Sequence, residues 1–116
     1  MVQPASTQGL ASRSCKACGG KLRALSDAEI QNYLGELKGW ERRGAQILKT
    51  FQFKNYYETM AFVNAIAWIA HGEDHHPDLE VGYNKCKVTY STHSAGGLTS
   101  KDFDSAHKVQ ALFPPK

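Results

Sequence analysis

The chain has 116 residues, 41% of them hydrophobic, and a formal net charge of +3, which fits one globular domain around one core, with no second domain expected. Its lysines and arginines are scattered without a run of five, which argues against a dedicated nucleic-acid or polybasic membrane surface. The longest apolar stretch, Met60 to Ala70, contains Asn64 and is far too short to span a bilayer, so a soluble protein is expected.

Residues 1 to 14 are rich in Ser, Gln, Ala and Thr, contain no acid and include one Arg. They read as a poorly ordered tail with a weak resemblance to an organelle transit peptide, weak because it holds so little arginine. Cys15 and Cys18 have the spacing of a zinc knuckle, but a structural site needs four ligands and no second such pair exists. The chain thus divides into a tail with a Cys pair, 1–21, and a domain, 22–116. With Cys86 expected as a buried thiol in a strand, and no secretory pattern, the cysteines point to a reducing, cytoplasmic setting without disulfides.

Ser26 and Glu29 form a capping box that opens a helix over about 27–37, with Ile30, Tyr33, Leu34 and Leu37 on one face and Gly39 ending it. Trp40 to Gly44 and Ala45 to Phe53 read as two strands of a hairpin, the second alternating Ile47, Lys49, Phe51 and Phe53 against Gln46, Leu48, Thr50 and Gln52. Asn55 with Glu58 caps a helix over 56–71. Its apolar positions, Met60, Phe62, Val63, Ile66, Ala67, Ile69 and Ala70, cover too wide an arc for a surface helix with one buried stripe, so it is a central core helix or one that also meets another subunit. Trp68 on that helix reads as packing. Past Pro77, Leu79, Val81 and Tyr83 share one side of a short strand, and Asn84-Lys85 suggests a turn. A strand over 87–93 sets Val88 and Tyr90, with Cys86 before them, on one face and Thr89, Ser91 and His93 on the other. Thr99 and Asp102 open a last helix carried by Phe103, Ala106, Val109 and Gln110 to Phe113 until Pro114-Pro115 stops it, and His107 falls on its surface. The order α-β-β-α-β-β-α predicts an α+β domain with a four-stranded antiparallel sheet under three helices, and two free edges that pairing between subunits would cover.

The stretch His71-Gly72-Glu73-Asp74-His75-His76-Pro77 holds three of the chain's five histidines. Imidazole both gives and takes a proton near neutral pH, so the cluster points to proton transfer or metal binding rather than a chance polar loop. His71 belongs in the last helical turn, Gly72 is the expected terminator, and Pro77 pushes His76 towards extended backbone. The chain leaves a helix through the histidines and enters a strand at the rim of a sheet, where side chains can converge on a small molecule. The spacing of His71 and His75 is that of zinc proteases, but their motif needs Glu directly after the first histidine and an unbroken helix, and here Gly72 and Pro77 intervene.

Helix-ending His71, His75-His76-Pro77, Tyr83 with Asn84-Lys85, Ser91-Thr92-His93, and Gly97-Leu98-Thr99 before Asp102 together resemble the signature of the pterin-4a-carbinolamine dehydratases. So does the capped first helix followed by Gly39-Trp40, and the likeness covers roughly residues 22 to 112. It implies dehydration of 4a-hydroxytetrahydrobiopterin to quinonoid dihydrobiopterin without metal or organic cofactor, in recycling the pterin of an aromatic amino acid hydroxylase. It also implies a homodimer or homotetramer. His75, His76 and His93 become the catalytic set, with His75 protonating the leaving group, His76 orienting the pterin and moving a proton, and His93 on the opposite side of the ring. His71, Asp74, Pro77, Tyr83, Ser91, Thr92 and Asp102 are the supporting or substrate-binding residues. Tyr83 either stacks near the pterin or covers the sheet, and Asp102 either caps its helix or acts directly. Where many members carry an acid, this chain has His71, so retained activity with a shifted pH dependence is expected, Glu73 or Asp74 partly substituting. Some relatives of this fold also act as dimerisation cofactors of a transcription factor, so a non-enzymatic interaction protein is the alternative reading, beside a histidine metal site.

Overall fold

A computed structural model describes residues 22–112. Its elements are α1 (Asp27–Leu34), β1 (Glu41–Arg43), β2 (Gln46–Gln52), α2 (Tyr56–Glu73), β3 (Asp78–Val81), β4 (Lys85–Tyr90) and α3 (Ser100–Gln110), with a 3-10 turn over His93–Ala95. The tail, the Cys15/Cys18 pair and residues 113–116 lie outside the described residues. The four strands pair antiparallel in the order β1-β2-β4-β3, so the two hairpins meet along β2 and β4 and the domain is α+β as expected.

Alternation in β2 and β4 decides which face is covered. Ile47, Phe51, Cys86, Val88 and Tyr90 point inward and are buried, meeting Ile30, Phe62, Ile66, Phe103, Ala106 and Val109 from the three helices. Lys49 shares that inward row because its ammonium escapes at the edge, donating to Lys38 O at 3.0 Å and Gln110 Oε1 at 2.8 Å. Burial pushes its amine below the usual lysine range. The opposite face carries Thr50, Gln52 and Lys87.

Each helix starts on the cap read from sequence. Ser26 Oγ accepts from Glu29 N while Glu29 Oε1 accepts from Ser26 N, and Asn55 Oδ1 accepts from Glu58 N. Ends differ more. α1 stops at Leu34 rather than running to residue 37, since the next amides bond to carbonyls three back and tighten the chain into a turn that delivers Leu37 to the core. α2 continues through Gly72. Its terminator is Asp74, a short polar side chain in the left-handed region (φ 53°), with the Asp74 and His75 amides both on Ala70 O.

Two packing expectations fail. Trp68 is 76% exposed and Tyr83 is 66% exposed, so neither packs on the domain. Trp68 points from the outer side of α2, opposite the side that buries Thr59, Phe62 and Ile66, and Tyr83 sits in the β3–β4 turn beyond the last ladder pair, Val81 with Cys86. That turn is fixed through its backbone, Thr59 Oγ1 lying 2.9 Å from both Tyr83 O and Asn55 O.

Candidate active site

The site forms where three chain segments leave regular structure at one corner of the sheet. The reversal at Asp74 turns His75 back under the end of α2, and Pro77 then leads His76 into β3, whose first residue Asp78 pairs with Thr89 of β4. β4 ends at Tyr90 instead of reaching His93, because Thr92 is drawn towards α3. Its hydroxyl donates to Asp102 Oδ2 at 2.7 Å and lies 3.0 Å from Thr99 Oγ1. A hydroxyl has one proton and that of Thr92 is used on the carboxylate, so Thr99 supplies the proton between the two threonines. His93 then falls on the 3-10 turn, with its Nε2 3.5 Å from Ser91 Oγ.

These segments enclose an open pocket of about 200 Å³ lined by His75, His76, Asp78, Thr89, Ser91, Thr92, His93 and Ser94. His76 and His93 are exposed to solvent, whereas the His75 side chain is only 13% exposed. Behind it stands Asp102, at zero exposure, whose Oδ1 is 2.6 Å from His75 Nε2. The other oxygen accepts from Thr92 Oγ1 and, at 3.0 Å, from the Thr99 amide. A buried carboxylate taking three donors is satisfied and fixed. It fixes His75 in turn: Nε2 carries the proton of that bond, which leaves Nδ1 as the ring atom free to take up or give one.

The three histidines expected to act therefore line one pocket with Ser91 and Thr92, and Asp102 reaches it through His75. The two readings of Asp102 prove compatible, since one carboxylate bonds both the helix-opening amide and the imidazole. The remaining expected residues stand elsewhere. Pro77 shapes the turn without lining the pocket. Tyr83 lies at the far end of β3. His71 is exposed with its ring 5.7 Å from that of Trp68, Asp74 is exposed, and Glu73 is held by Lys108 at 2.7 Å. The carboxylate beside His75 is thus supplied by α3 rather than by Glu73 or Asp74. Asp78, Thr89 and Ser94 were not singled out from sequence. Thr89 and Asp78 are ladder partners on the outer face, so the alternation that grouped Thr89 with Ser91 carried that signal. Among the described residues, no group of three or more His, Cys, Asp or Glu side chains is placed to hold a metal ion, so the His71 and His75 spacing lacks further donors. No described helix is long and apolar enough to cross a membrane.

The chain is similar to known proteins over nearly all of its described length. The family model for Pterin 4 alpha carbinolamine dehydratase matches residues 23–112. A relative from Nitrosospira multiformis, provisionally named pterin-4-alpha-carbinolamine dehydratase, is 56% identical over 104 residues, covering 90% of this chain and 92% of its own. One of the same provisional name from Nitrosomonas eutropha is 54% identical over 104 residues, covering 89% and 92%. The crystal structure of a transcriptional coactivator/pterin dehydratase from Brucella melitensis matches with a TM-score of 0.75 at 33% identity, over 78% of this chain and 98% of that one. The matched span holds every residue of the pocket and the carboxylate behind it, and the chain belongs to the pterin 4 alpha carbinolamine dehydratase family.

Proposed function

We propose that this protein dehydrates 4a-hydroxytetrahydrobiopterin to quinonoid dihydrobiopterin and water by histidine acid–base catalysis. The observation that carries the reading is the 2.6 Å contact of His75 Nε2 with buried Asp102 at the wall of a pocket that His76 and His93 also line. In the reaction the C4a–O bond breaks as the leaving oxygen takes a proton and departs as water. The N5–H bond breaks towards a base, and its electron pair becomes the new C4a–N5 double bond. His75 serves the leaving oxygen through Nδ1, its other nitrogen being committed to Asp102. His76 orients the pterin and moves a proton, and His93 faces the ring from the other side. Asp78 and the hydroxyls of Thr89, Ser91 and Ser94 offer partners for the polar edge of a small bicycle.

By this reading the protein acts in the cytoplasm, in recycling the pterin of an aromatic amino acid hydroxylase. A second reading, binding of a protein partner, is favoured by the outer side of α2. Tyr57, 82% exposed, and Trp68, 76% exposed, lie about three turns apart on one face. Self-association into a dimer or tetramer is the simplest use of that face, and the coactivator part of the Brucella melitensis protein's name suggests another partner could use it.

The deciding experiment is turnover of freshly generated 4a-hydroxytetrahydropterin, followed by ultraviolet absorbance, for the intact chain and its His75→Ala, His76→Ala and His93→Ala variants. Loss by a factor of about 10² or more in at least one variant is expected for a general acid or base. Folded protein with no rate above the uncatalysed reaction would reject the enzymatic reading and leave the binding one.

A further inference from the structure

Alternation along β4 assigns Tyr90 to the core row with Cys86 and Val88, and the structure buries it completely. Its position is rigid. It pairs in the ladder with buried Ile47, and its ring lies 6.2 Å from that of Trp40, whose indole N–H donates to Gln110 Oε1 at 3.0 Å. Yet this core residue also reaches the site. The ring of His75 runs nearly parallel to it in an offset stack, with centroids 5.7 Å apart and planes inclined by only 17°.

A hydrogen bond to Asp102 directs one nitrogen of the imidazole but leaves the ring free to swivel about the Nε2–oxygen line. Swivelling would carry Nδ1 away from a substrate in the pocket. A flat surface against the face of the ring removes that freedom, and Tyr90 is placed to supply it. We propose that Tyr90 is a positioning residue of the active site, a buried aromatic platform that sets the plane of the His75 imidazole while Asp102 sets its direction.

The proposal rests on His75 being the acid–base group of the dehydratase reading. The hydroxyl has no part in it. Tyr90 Oη is buried and has no hydrogen-bond partner among the described residues. Burial first, then the nearby carboxylates of Asp102 and Glu73, push the phenol well above its ordinary range, so it keeps its proton at neutral pH. What Tyr90 contributes is the ring.

Two substitutions separate ring from hydroxyl. Tyr90→Phe keeps the platform and removes only the unpartnered oxygen, so kcat should stay within about 3-fold of the parent. Tyr90→Leu fills much of the same space without a flat face, and kcat should fall by about 10-fold or more with KM little changed, as expected when a reacting group is misplaced and substrate binding is left intact. A spectroscopic readout stands apart from turnover. In the intact chain, labelled at histidine, the ring-proton resonances of His75 should lie upfield of those of exposed His107, remain there in Tyr90→Phe, and move back in Tyr90→Leu. The proposal is overturned if His75 of the intact chain shows no upfield displacement, or if folded Tyr90→Leu keeps kcat within about 3-fold. The first result does not depend on whether the leucine variant folds. Absence of turnover in the intact chain would instead reject the dehydratase reading, while the spectra would still report whether the platform exists.

Discussion

Asp102→Asn tests the site most directly, because the amide matches the carboxylate in size and changes only what it can accept. Asp102 is fully buried and takes bonds from His75 Nε2, Thr92 Oγ1 and the Thr99 amide. The backbone N–H of Thr99 can only donate, so the amide oxygen must stay with Thr99 and Thr92, and the NH2 group must face His75. Two donors cannot meet there. Nε2 becomes an acceptor, and in the neutral ring the proton moves to Nδ1, the atom needed for proton transfer. Bonds to a charged acceptor, about 1.5–3 kcal/mol each, become neutral ones of about 0.5–1.5 kcal/mol, a loss near 1 kcal/mol per bond and about 3 kcal/mol for all three. The melting temperature should therefore fall by at least about 10 °C. Turnover should fall by about 10²–10⁴, equivalent to about 2.7–5.4 kcal/mol of barrier at 1.36 kcal/mol per decade. The assay is kcat measured well below both melting temperatures, with circular dichroism confirming the fold. Thr99→Ala is the control: it removes the hydroxyl behind Thr92 but keeps the amide and the His75 contact, so it should lower stability by about 1 kcal/mol and leave kcat within about 3-fold. Folded Asp102→Asn with kcat within 3-fold of the parent would refute the catalytic pairing and leave Asp102 with its capping bond alone.

Other expectations bear on stability and assembly. The Arg23 side chain first, then the Ser26 amide, hold the Glu29 carboxyl down at about 2. Because that value lies below its unfolded one, the contribution to stability is complete above about pH 4.3 and is lost as pH falls towards 2. Thermal melts at the two ends of this window should show a larger drop for the parent than for Glu29→Gln, and added salt should shrink the difference because the pair is exposed. Equal drops in both proteins at low salt would exclude the linkage. Thr59→Val leaves the buried side of the β3–β4 turn without a donor for Tyr83 O and should cost about 1–3 kcal/mol. An unchanged melting temperature would show that water replaces the hydroxyl. Trp68→Glu puts a charge on the outer face of α2 and should shift sedimentation towards a smaller species with the fold retained. No shift would remove this face from any self-association.

What the chain discloses and what it hides follow from the range of the interactions. Periodicity and caps are local, so helix starts, hairpins and the inward row of β2 and β4 could be read from neighbours a few residues apart. Helix ends were harder. Gly72 has the composition of a terminator, but the chain turns at Asp74, where two amides converge on Ala70 O. Exposure was harder still: Trp68 and Tyr83 look like packing residues, and only the path of the remaining chain decides that nothing in the described domain covers them.

The site is the case in which local and distant causes act on one residue. Asp102 stands three residues after Thr99, a spacing that explains an acid at a helix start without reference to chemistry. Its second contact, with His75, spans 27 residues of chain and leaves no mark on that local pattern. A capping role and a catalytic role thus looked like rivals in the sequence. In the fold one carboxylate can carry both: the Thr99 amide and Thr92 hydroxyl fix it, and a fixed carboxylate is what can hold an imidazole in one tautomer. Tyr90 follows the same logic. Strand alternation correctly marks it as core, and because core residues are rigid, the side chain that turns its buried face to His75 is suited to set a catalytic ring. At this corner the packing that stabilises the domain and the geometry that prepares the histidine come from the same contacts. Asp102→Asn and Tyr90→Leu should therefore lower stability and turnover together, whereas variants of exposed His76 and His93 should lower turnover with little loss of stability.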